Sequence, residues 1–134
     1  MNNQPRGLRN NNPGNIRRSN DRWMGLRAKQ TDPEFFQFTA PMWGYRALIK
    51  TLQTYRKKYK LQSIAEMIGR WAPPSENDTA AYTRAVCSDL QVPPTWVPDV
   101  DDKGTMCALA AAISRHENGV YAVMEDVERG WGLL

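Results

Sequence analysis

The spacing of apolar residues after residue 41 constrains the fold of this chain more than any other feature. Within 41–59 the apolar side chains recur at positions i, i+3 and i+4, as Tyr45, Leu48, Ile49, Leu52, Tyr55 and Tyr59. That period places them along one face of a helix. The same pattern predicts further helices at 62–71, 79–90, 105–117 and 122–129, with a linker at 91–104. Residues 41–134 are therefore predicted to form a helical region.

The chain before residue 41 has a different pattern, in which turn residues separate short apolar segments. Residues 1–14 are predicted to be irregular, because Asn10 to Gly14 is rich in turn-forming residues. Short strands are predicted at 15–18, 22–27 and 34–38, which would form a β-hairpin region of about 12–38. The predicted fold class is mostly α with a small β element, α+β, in a single domain of residues 1–134.

Membrane insertion, secretion and metal binding are not expected from the sequence. No apolar run approaches the ~20 residues that cross a bilayer, and residues 1–12 lack the apolar region of a signal peptide. Cys87 and Cys107 lie in apolar-periodic stretches and are interpreted as core residues. With His116 as the one histidine, neither a metal site nor a cofactor is expected. We expect the protein to be made in the bacterial cytoplasm and to reach any substrate outside the cytoplasm by another route.

Positive charge is concentrated in the first part of the chain. Residues 1–60 carry thirteen Lys and Arg against three Asp and Glu, whereas residues 61–134 carry five against eleven. A basic half suits an anionic polymer, such as cell wall, nucleic acid or a membrane surface, and an ordinary solvated surface has the same composition. A nucleic-acid partner is not expected, because the sequence has no helix-turn-helix or zinc motif. We expect a monomer.

The helix predicted at 105–117 ends in a carboxylate on its apolar face. The apolar stripe consists of Met106, Leu109, Ala110 and Ile113, and the next position along it is Glu117. Burial and the negative end of the helix dipole both favour the protonated form of such an acid. A glycosidase needs a protonated acid to donate to the leaving oxygen. Glu117 is therefore the candidate catalytic acid, and an exposed residue at a frayed helix end is the alternative interpretation.

Three segments carry a resemblance to one superfamily of wall-degrading enzymes. Ala110 to Gly119 resembles the catalytic helix of lytic transglycosylases and flagellar-type glucosaminidases, which is Ala-rich and ends in the catalytic Glu. Asn12 to Arg17, with Trp23-x-Gly25 and Phe36-x-Phe38 after it, is similar to the β-hairpin segment of the flagellar-type glucosaminidases. Trp71 to Asp78, followed by Tyr82, is similar to their Tyr-bearing loop and helix. The three segments cover most of the chain.

The order of these segments differs from that of the superfamily, in which the Glu helix comes first. Here it comes last, and circular permutation is the simplest account of this order. The resemblance implies a lysozyme-like fold. It also implies an enzyme that cleaves peptidoglycan glycan strands, either as a muramidase or as a lytic transglycosylase. The start, Arg6 to Pro13, also resembles small phage and prophage proteins that are often labelled structural or virion proteins. The alternative function is therefore a non-catalytic phage structural or wall-binding protein. In either case we expect action on the wall after release or as a virion component.

Further carboxylates are candidates for catalysis. Glu76, in a Pro-rich loop beside Trp71, is the rival to Glu117. A hydrolase also needs a second carboxylate, for which Asp32 is preferred over Glu34. Turn and capping roles are the alternatives for Asp32 and Glu76. A lytic transglycosylase needs no second carboxylate, because the substrate's acetamido group and 6-hydroxyl complete the reaction.

Candidate substrate contacts complete the predicted site. Tyr82 is the candidate for a hydroxyl that orients the substrate, and Trp71 could stack on a sugar. Asn12 and Asn15 could bind N-acetyl groups, and Gln30 of the hairpin region is assigned to the same set. Core packing is the alternative for the two aromatic residues, and turn formation is the alternative for the asparagines.

Overall fold

The computed structural model describes residues 3–134, which contain six helices. Residues 1 and 2, the start of the segment predicted to be irregular, lie outside the described residues. The helices are α1 (Arg6–Arg9), α2 (Pro41–Lys57), α3 (Ile64–Trp71), α4 (Thr79–Leu90), α5 (Lys103–Asn118) and α6 (Met124–Gly132). The prediction of a mostly helical fold is confirmed. The single turn α1 lies where the sequence predicted irregular structure.

Local capping residues set the helix boundaries. Ser63 and Glu66 form a reciprocal capping box at the start of α3, and the Asp78 carboxylate accepts a 3.0 Å hydrogen bond from the third residue of α4. The Asp102 carboxylate accepts from the Thr105 amide at 2.9 Å, so α5 begins at Lys103 rather than at the predicted residue 105. These carboxylates and hydroxyls satisfy amides that have no partner inside the helix.

Residues 3–134 do not contain the regular strands of the predicted β-hairpin. In residues 3–134 the only bridges are two isolated antiparallel ones, Arg17 with Phe35 and Leu26 with Phe38. Gly25 has a φ of 80° and therefore interrupts the extended backbone between these bridges. The segment is held together instead by side-chain amides that bond to backbone groups.

The main core lies around α5, which packs against α2, α4 and α6. Its apolar stripe is completely buried, as the sequence predicted, and so are Leu48 and Ile49 of α2. Cys87 and Cys107 are buried free thiols of this core. A second, smaller cluster consists of Phe36, Phe38 and Ala47, with Ile16, Trp23, Leu26 and Trp43 against it. This cluster fixes residues 10–38 against α2, and so places their loop next to the end of α5.

None of the six helices in residues 3–134 combines the length and hydropathy that crossing a lipid bilayer requires.

Candidate active site around Glu117

A surface cleft of about 400 Å³ lies where the N-terminal segment meets the helical region. The cleft is lined by Gly14, Asn15, Ile16, Arg17, Phe35, Thr51, Tyr55, Arg70, Trp71, Ala72, Pro73, Glu76, Asn77 and Glu117. The helical region contributes α2, the end of α3, the loop after it and the last turn of α5. Four residues predicted from the sequence to belong to a site therefore line one cleft: Asn15, Trp71, Glu76 and Glu117.

The Glu117 carboxylate is half-buried and is held by two hydrogen-bond donors from different parts of the chain. Asn15 donates from Nδ2 to Oε1 at 2.8 Å, and Tyr82 donates from its hydroxyl to Oε2 at 2.7 Å. The sequence predicted that these three residues surround one sugar, and the structure brings them into direct contact. Each carboxylate oxygen has its own donor, which fixes the orientation of the side chain at the cleft.

Tyr82 connects Glu117 to an aromatic wall of the cleft. Its side chain is only 2% exposed, and its hydroxyl accepts a 3.1 Å hydrogen bond from Nε1 of Trp71. Burial, and after it the charge of Glu117, raise the pKa of Tyr82 far above its usual range. The hydroxyl therefore stays protonated and remains a donor to Glu117. The ring is held from the other side by His116, with ring centroids 3.9 Å apart.

Asn15 approaches Glu117 from a strained backbone position. Its φ is 50°, in the left-handed region that asparagine tolerates better than most residues. Its Oδ1 atom is buried and has no hydrogen-bond partner in the described residues, and the same holds for Oδ1 of Asn118.

Both of these unpartnered oxygens face Gly7 of α1. A Cβ atom at residue 7 would lie 2.5 Å from Asn118 Oδ1, 2.9 Å from Asn15 Oδ1 and 2.9 Å from the Asn12 carbonyl oxygen. Any side chain at this position would thus collide with the amide that holds Glu117. Three acceptor oxygens, one each from Asn12, Asn15 and Asn118, therefore lie close to Gly7.

Glu76, the rival acid, lines the same cleft as an exposed side chain. Its Oε2 lies 3.6 Å from Nε of Arg17, which also approaches Glu34 at 3.8 Å. Arg17 is itself a cleft residue that the sequence did not single out. Glu76 therefore has an exposed ion-pair partner and no buried donor of the kind that holds Glu117.

Asp32 does not line the cleft, contrary to its predicted role as the second carboxylate. Its oxygens accept two hydrogen bonds from Arg6, at 2.6 and 2.7 Å, and one from Asn10 at 2.9 Å. The backbone amides of Glu34 and Phe35 donate to it at 2.9 and 3.0 Å. The Arg6 guanidinium, followed by the other donors, holds the pKa of Asp32 well below its usual range. This carboxylate anchors α1 to the turn at Pro33.

Asn12 and Gln30 also serve the loop rather than the cleft, contrary to the prediction that they bind substrate. Asn12 is fully buried, donates to the carbonyl oxygens of Ile16 and Phe36, and accepts from the Ile16 amide at 2.9 Å. Gln30 donates to the Gln37 carbonyl at 2.8 Å and accepts from the Gln37 amide at 2.7 Å. Their amide groups replace the strand hydrogen bonds that the hairpin lacks.

Tyr55 and Arg70 are cleft residues that the sequence did not identify. Tyr55 belongs to the apolar stripe of α2, so its spacing indicated core packing, and Arg70 carries no pattern of its own. The two side chains lie next to each other at the cleft wall, where the Arg70 guanidinium is 5.4 Å from the Tyr55 ring centroid. No three His, Cys, Asp or Glu side chains of residues 3–134 cluster closely enough to hold a metal ion.

Fold and site together define a small, mostly helical protein with a glutamate-centred polar cleft. No protein-family model matches the sequence. The chain is 35% identical over 137 residues to Protein P5 of Pseudoalteromonas phage PM2, covering 98% of this chain and 84% of that protein. It belongs to the same family as this phage protein. The bacteriophage association expected from the sequence is thereby supported.

Proposed function

We propose that this protein cleaves the glycan strands of bacterial peptidoglycan, with Glu117 as the catalytic acid. The observation that carries the proposal is a half-buried glutamate, held by Asn15 and Tyr82, at the side of a cleft of about 400 Å³. Pockets of that size accommodate small ligands. The resemblance to a circularly permuted lysozyme-like protein supports it, because the three resembling segments contribute Asn15, Tyr82 and Glu117.

The proposed reaction begins with proton transfer from Glu117 to the glycosidic oxygen as the bond from C1 to that oxygen breaks. The ionised Glu117 then takes the proton of the sugar's 6-hydroxyl while O6 forms a new bond to C1. This route needs one carboxylate, and Asp32, the preferred second carboxylate, is engaged by Arg6 away from the cleft. We therefore favour lytic transglycosylation over a hydrolase that uses Asp32. A hydrolase would have to use Glu76, which lines the cleft.

Asn15 is suited to hold Glu117 in both protonation states. Towards the ionised form, its Nδ2 donates to Oε1. A half-turn of the amide would present Oδ1 to a protonated Oε1, since the two ends of an asparagine amide have nearly the same shape. The same rotation would direct Nδ2 towards the oxygens gathered around Gly7, which include the unpartnered Oδ1 of Asn118. Tyr82 would continue to donate to the other oxygen.

The test is Glu117→Gln, measured by the clearing of purified bacterial cell walls. Loss of a general acid costs about 10²–10⁴ in rate. We expect the melting temperature to stay unchanged or to rise, since removing an active-site acid often relieves strain. Glu76→Gln serves as the matched control and keeps its activity. Wild-type lysis by the Glu117 variant would transfer the role to Glu76.

The products distinguish the two reactions. Mass spectrometry of digested walls should find 1,6-anhydro-muramic acid ends for the transglycosylase, whereas new reducing ends would indicate a hydrolase.

The second candidate is a phage protein that binds the wall without cutting it. The similarity to Protein P5 of phage PM2 supports the phage association that both candidates share. This candidate predicts that the wild-type protein pellets with cell walls and releases no fragments from them. It also predicts that the Glu117→Gln variant pellets with the walls to the same extent.

A further inference from the structure

A second groove, of about 430 Å³, lies along α2 next to the cleft. We call it the basic groove, and it is lined by Asp21, Arg22, Trp23, Met24, Arg46, Lys50, Thr51, Thr54, Lys58 and Tyr59. None of the catalytic candidates belongs to it. Its position is set by α2 on one side and by the loop before Gly25 on the other.

The charge of the basic groove is unbalanced. Arg22, Arg46, Lys50 and Lys58 line it against the single carboxylate of Asp21. Arg46 is only 8% exposed and donates from Nε to the Leu133 carbonyl oxygen at 3.1 Å, whereas the other three cations are exposed. Within residues 3–134 none of these three exposed cations forms an ion pair with a carboxylate. A concave surface with several uncompensated cations concentrates anions.

Apolar groups lie among these cations. Met24 is 54% exposed and Tyr59 is 41% exposed, and Trp23 lines the groove beside them. Such side chains would contact the methyl and methylene groups of an organic anion, which a bare phosphate or chloride lacks. The lining therefore suits an anion with an aliphatic body.

The basic groove adjoins the cleft that holds Glu117 at Thr51, which lines both. Lys50 is adjacent to Thr51 in sequence, and Thr54 and Lys58 follow at one-turn intervals along α2. A branched polymer bound in the cleft could thus send a side branch over Thr51 and into the groove.

We propose that the basic groove binds the carboxylate-bearing peptide stems of the peptidoglycan strand whose sugars occupy the cleft. This inference rests on the proposed function. The sugars of the strand are mostly neutral, and the stems are short peptides with free carboxylates and aliphatic side chains, which match the cations and apolar groups of the groove. The groove also lies beside the cleft, where a stem attached to a bound sugar would reach it. Nucleic acid is the alternative occupant that the experiment must separate.

The experiment measures equilibrium binding to soluble glycan strands, either intact or stripped of their peptides by an amidase. The lactyl carboxylates that the amidase exposes on the stripped strands are then capped as methylamides, so that these strands are neutral. The double substitution Lys50→Gln/Lys58→Gln removes two exposed cations of the groove. Its matched control is Lys57→Gln/Lys60→Gln, which removes two exposed cations that do not line the groove. All chains carry Glu117→Gln, so that no strand is cut during the measurement.

The parent should bind intact strands more tightly than stripped ones. Exposed charge pairs contribute about 0.2–1 kcal/mol each, so the loss of two of them should weaken binding of intact strands by roughly two- to thirtyfold. On stripped strands the groove variant should lose nothing, and the control should match the parent on both. Equal binding of intact and stripped strands by the parent would overturn the proposal, as would an unchanged groove variant.

A DNA oligonucleotide that displaces the intact strands, and whose own binding is lost in the groove variant, would assign the groove to nucleic acid and overturn the proposal. Failure of the proposed function has a separate signature. A wild type that does not cut walls, but whose Glu117→Gln form still prefers intact strands through Lys50 and Lys58, disproves catalysis and leaves the stem site standing.

Discussion

At the scale of single residues, the orientation of Glu117 depends on the hydroxyl of Tyr82. It donates to Glu117 at 2.7 Å and accepts from Trp71 at 3.1 Å. We expect Tyr82→Phe to lower wall lysis by roughly ten- to a hundredfold, because a hydrogen bond to a charged group contributes about 1.5–3 kcal/mol. Tyr55→Phe is the control, since Tyr55 lines the same cleft without contacting Glu117. Equal activity of the two variants would show that the Tyr82 hydroxyl does not orient Glu117.

Asp32 predicts how the stability of the fold depends on pH. Its pKa is lowered in the folded protein, so the ionised carboxylate stabilises the fold above its unfolded pKa of about 3.9. This stability is lost as the pH falls below that value. Asp32→Asn should therefore destabilise the protein at about pH 7, by roughly 1.5–3 kcal/mol, and should reduce the loss of stability on acidification.

Urea unfolding at neutral pH and at about pH 3 measures both effects. Asp21→Asn is the control, because Asp21 is exposed and takes part in no ion pair within the described residues. An Asp32 variant with the acid sensitivity of wild type would contradict the assignment.

The sequence predicted some of the residues that line the cleft, whereas other residues predicted to belong to the site lie elsewhere. Glu117 could be predicted because an apolar stripe of helical period has one clear next position. Asp32 and Asn12 were misplaced, because a turn-rich segment does not reveal whether a polar side chain faces solvent or bonds to its own backbone. The difference lies in partners such as Arg6, which are distant in sequence and follow no period.

At the scale of elements, α6 packs closely against α2 at Gly130. A Cβ atom there would lie 2.7 Å from Tyr45 Cβ, 2.9 Å from the Arg46 amide nitrogen and 3.0 Å from the Met42 carbonyl oxygen. We expect Gly130→Ala to destabilise the protein by about 1–3 kcal/mol, because backbone atoms cannot move aside as a flexible side chain can.

Gly132→Ala is the matched control, two residues later in the same helix, where a Cβ atom has open space. It should be neutral or stabilising by up to about 1 kcal/mol through helix propensity. Thermal unfolding of the two variants tests the contact. A Gly130 variant as stable as the Gly132 variant would mean that α6 moves freely on α2.

Helices α2 to α6 could be predicted from the sequence and the hairpin could not, for one physical reason. A helix such as α4 is fixed by local signals, namely the period of its apolar residues and the cap at Asp78. The segment before α2 has alternating apolar residues too, but buried amides of Asn12, Gln30 and Gln37 satisfy its backbone. Hydrogen bonds of that kind depend on tertiary structure, so alternation alone overpredicted strands.

At the scale of the whole molecule, the two halves of the chain differ in charge and meet at the cleft. The basic half supplies Asn15, Arg17 and the basic groove, and the acidic half supplies Glu117 and Glu76. An anionic polymer would be attracted mainly to the first half, while the proposed chemistry belongs to the second. We therefore propose that the first half of the chain mainly binds the polymer and that the second half carries the reaction, with the cleft between them.

The contact between Asn15 and Glu117 joins positions 102 residues apart, and that between Pro13 and Asn118 joins positions 105 apart. During synthesis, the segment that orients the acid is made long before the acid itself. No nascent chain can assemble the cleft until α5 has left the ribosome and folded back onto residues 13–15, and such distant contacts form late in folding. Under the proposed function, the catalytic site is therefore absent from the nascent chain until α5 has been made and has folded.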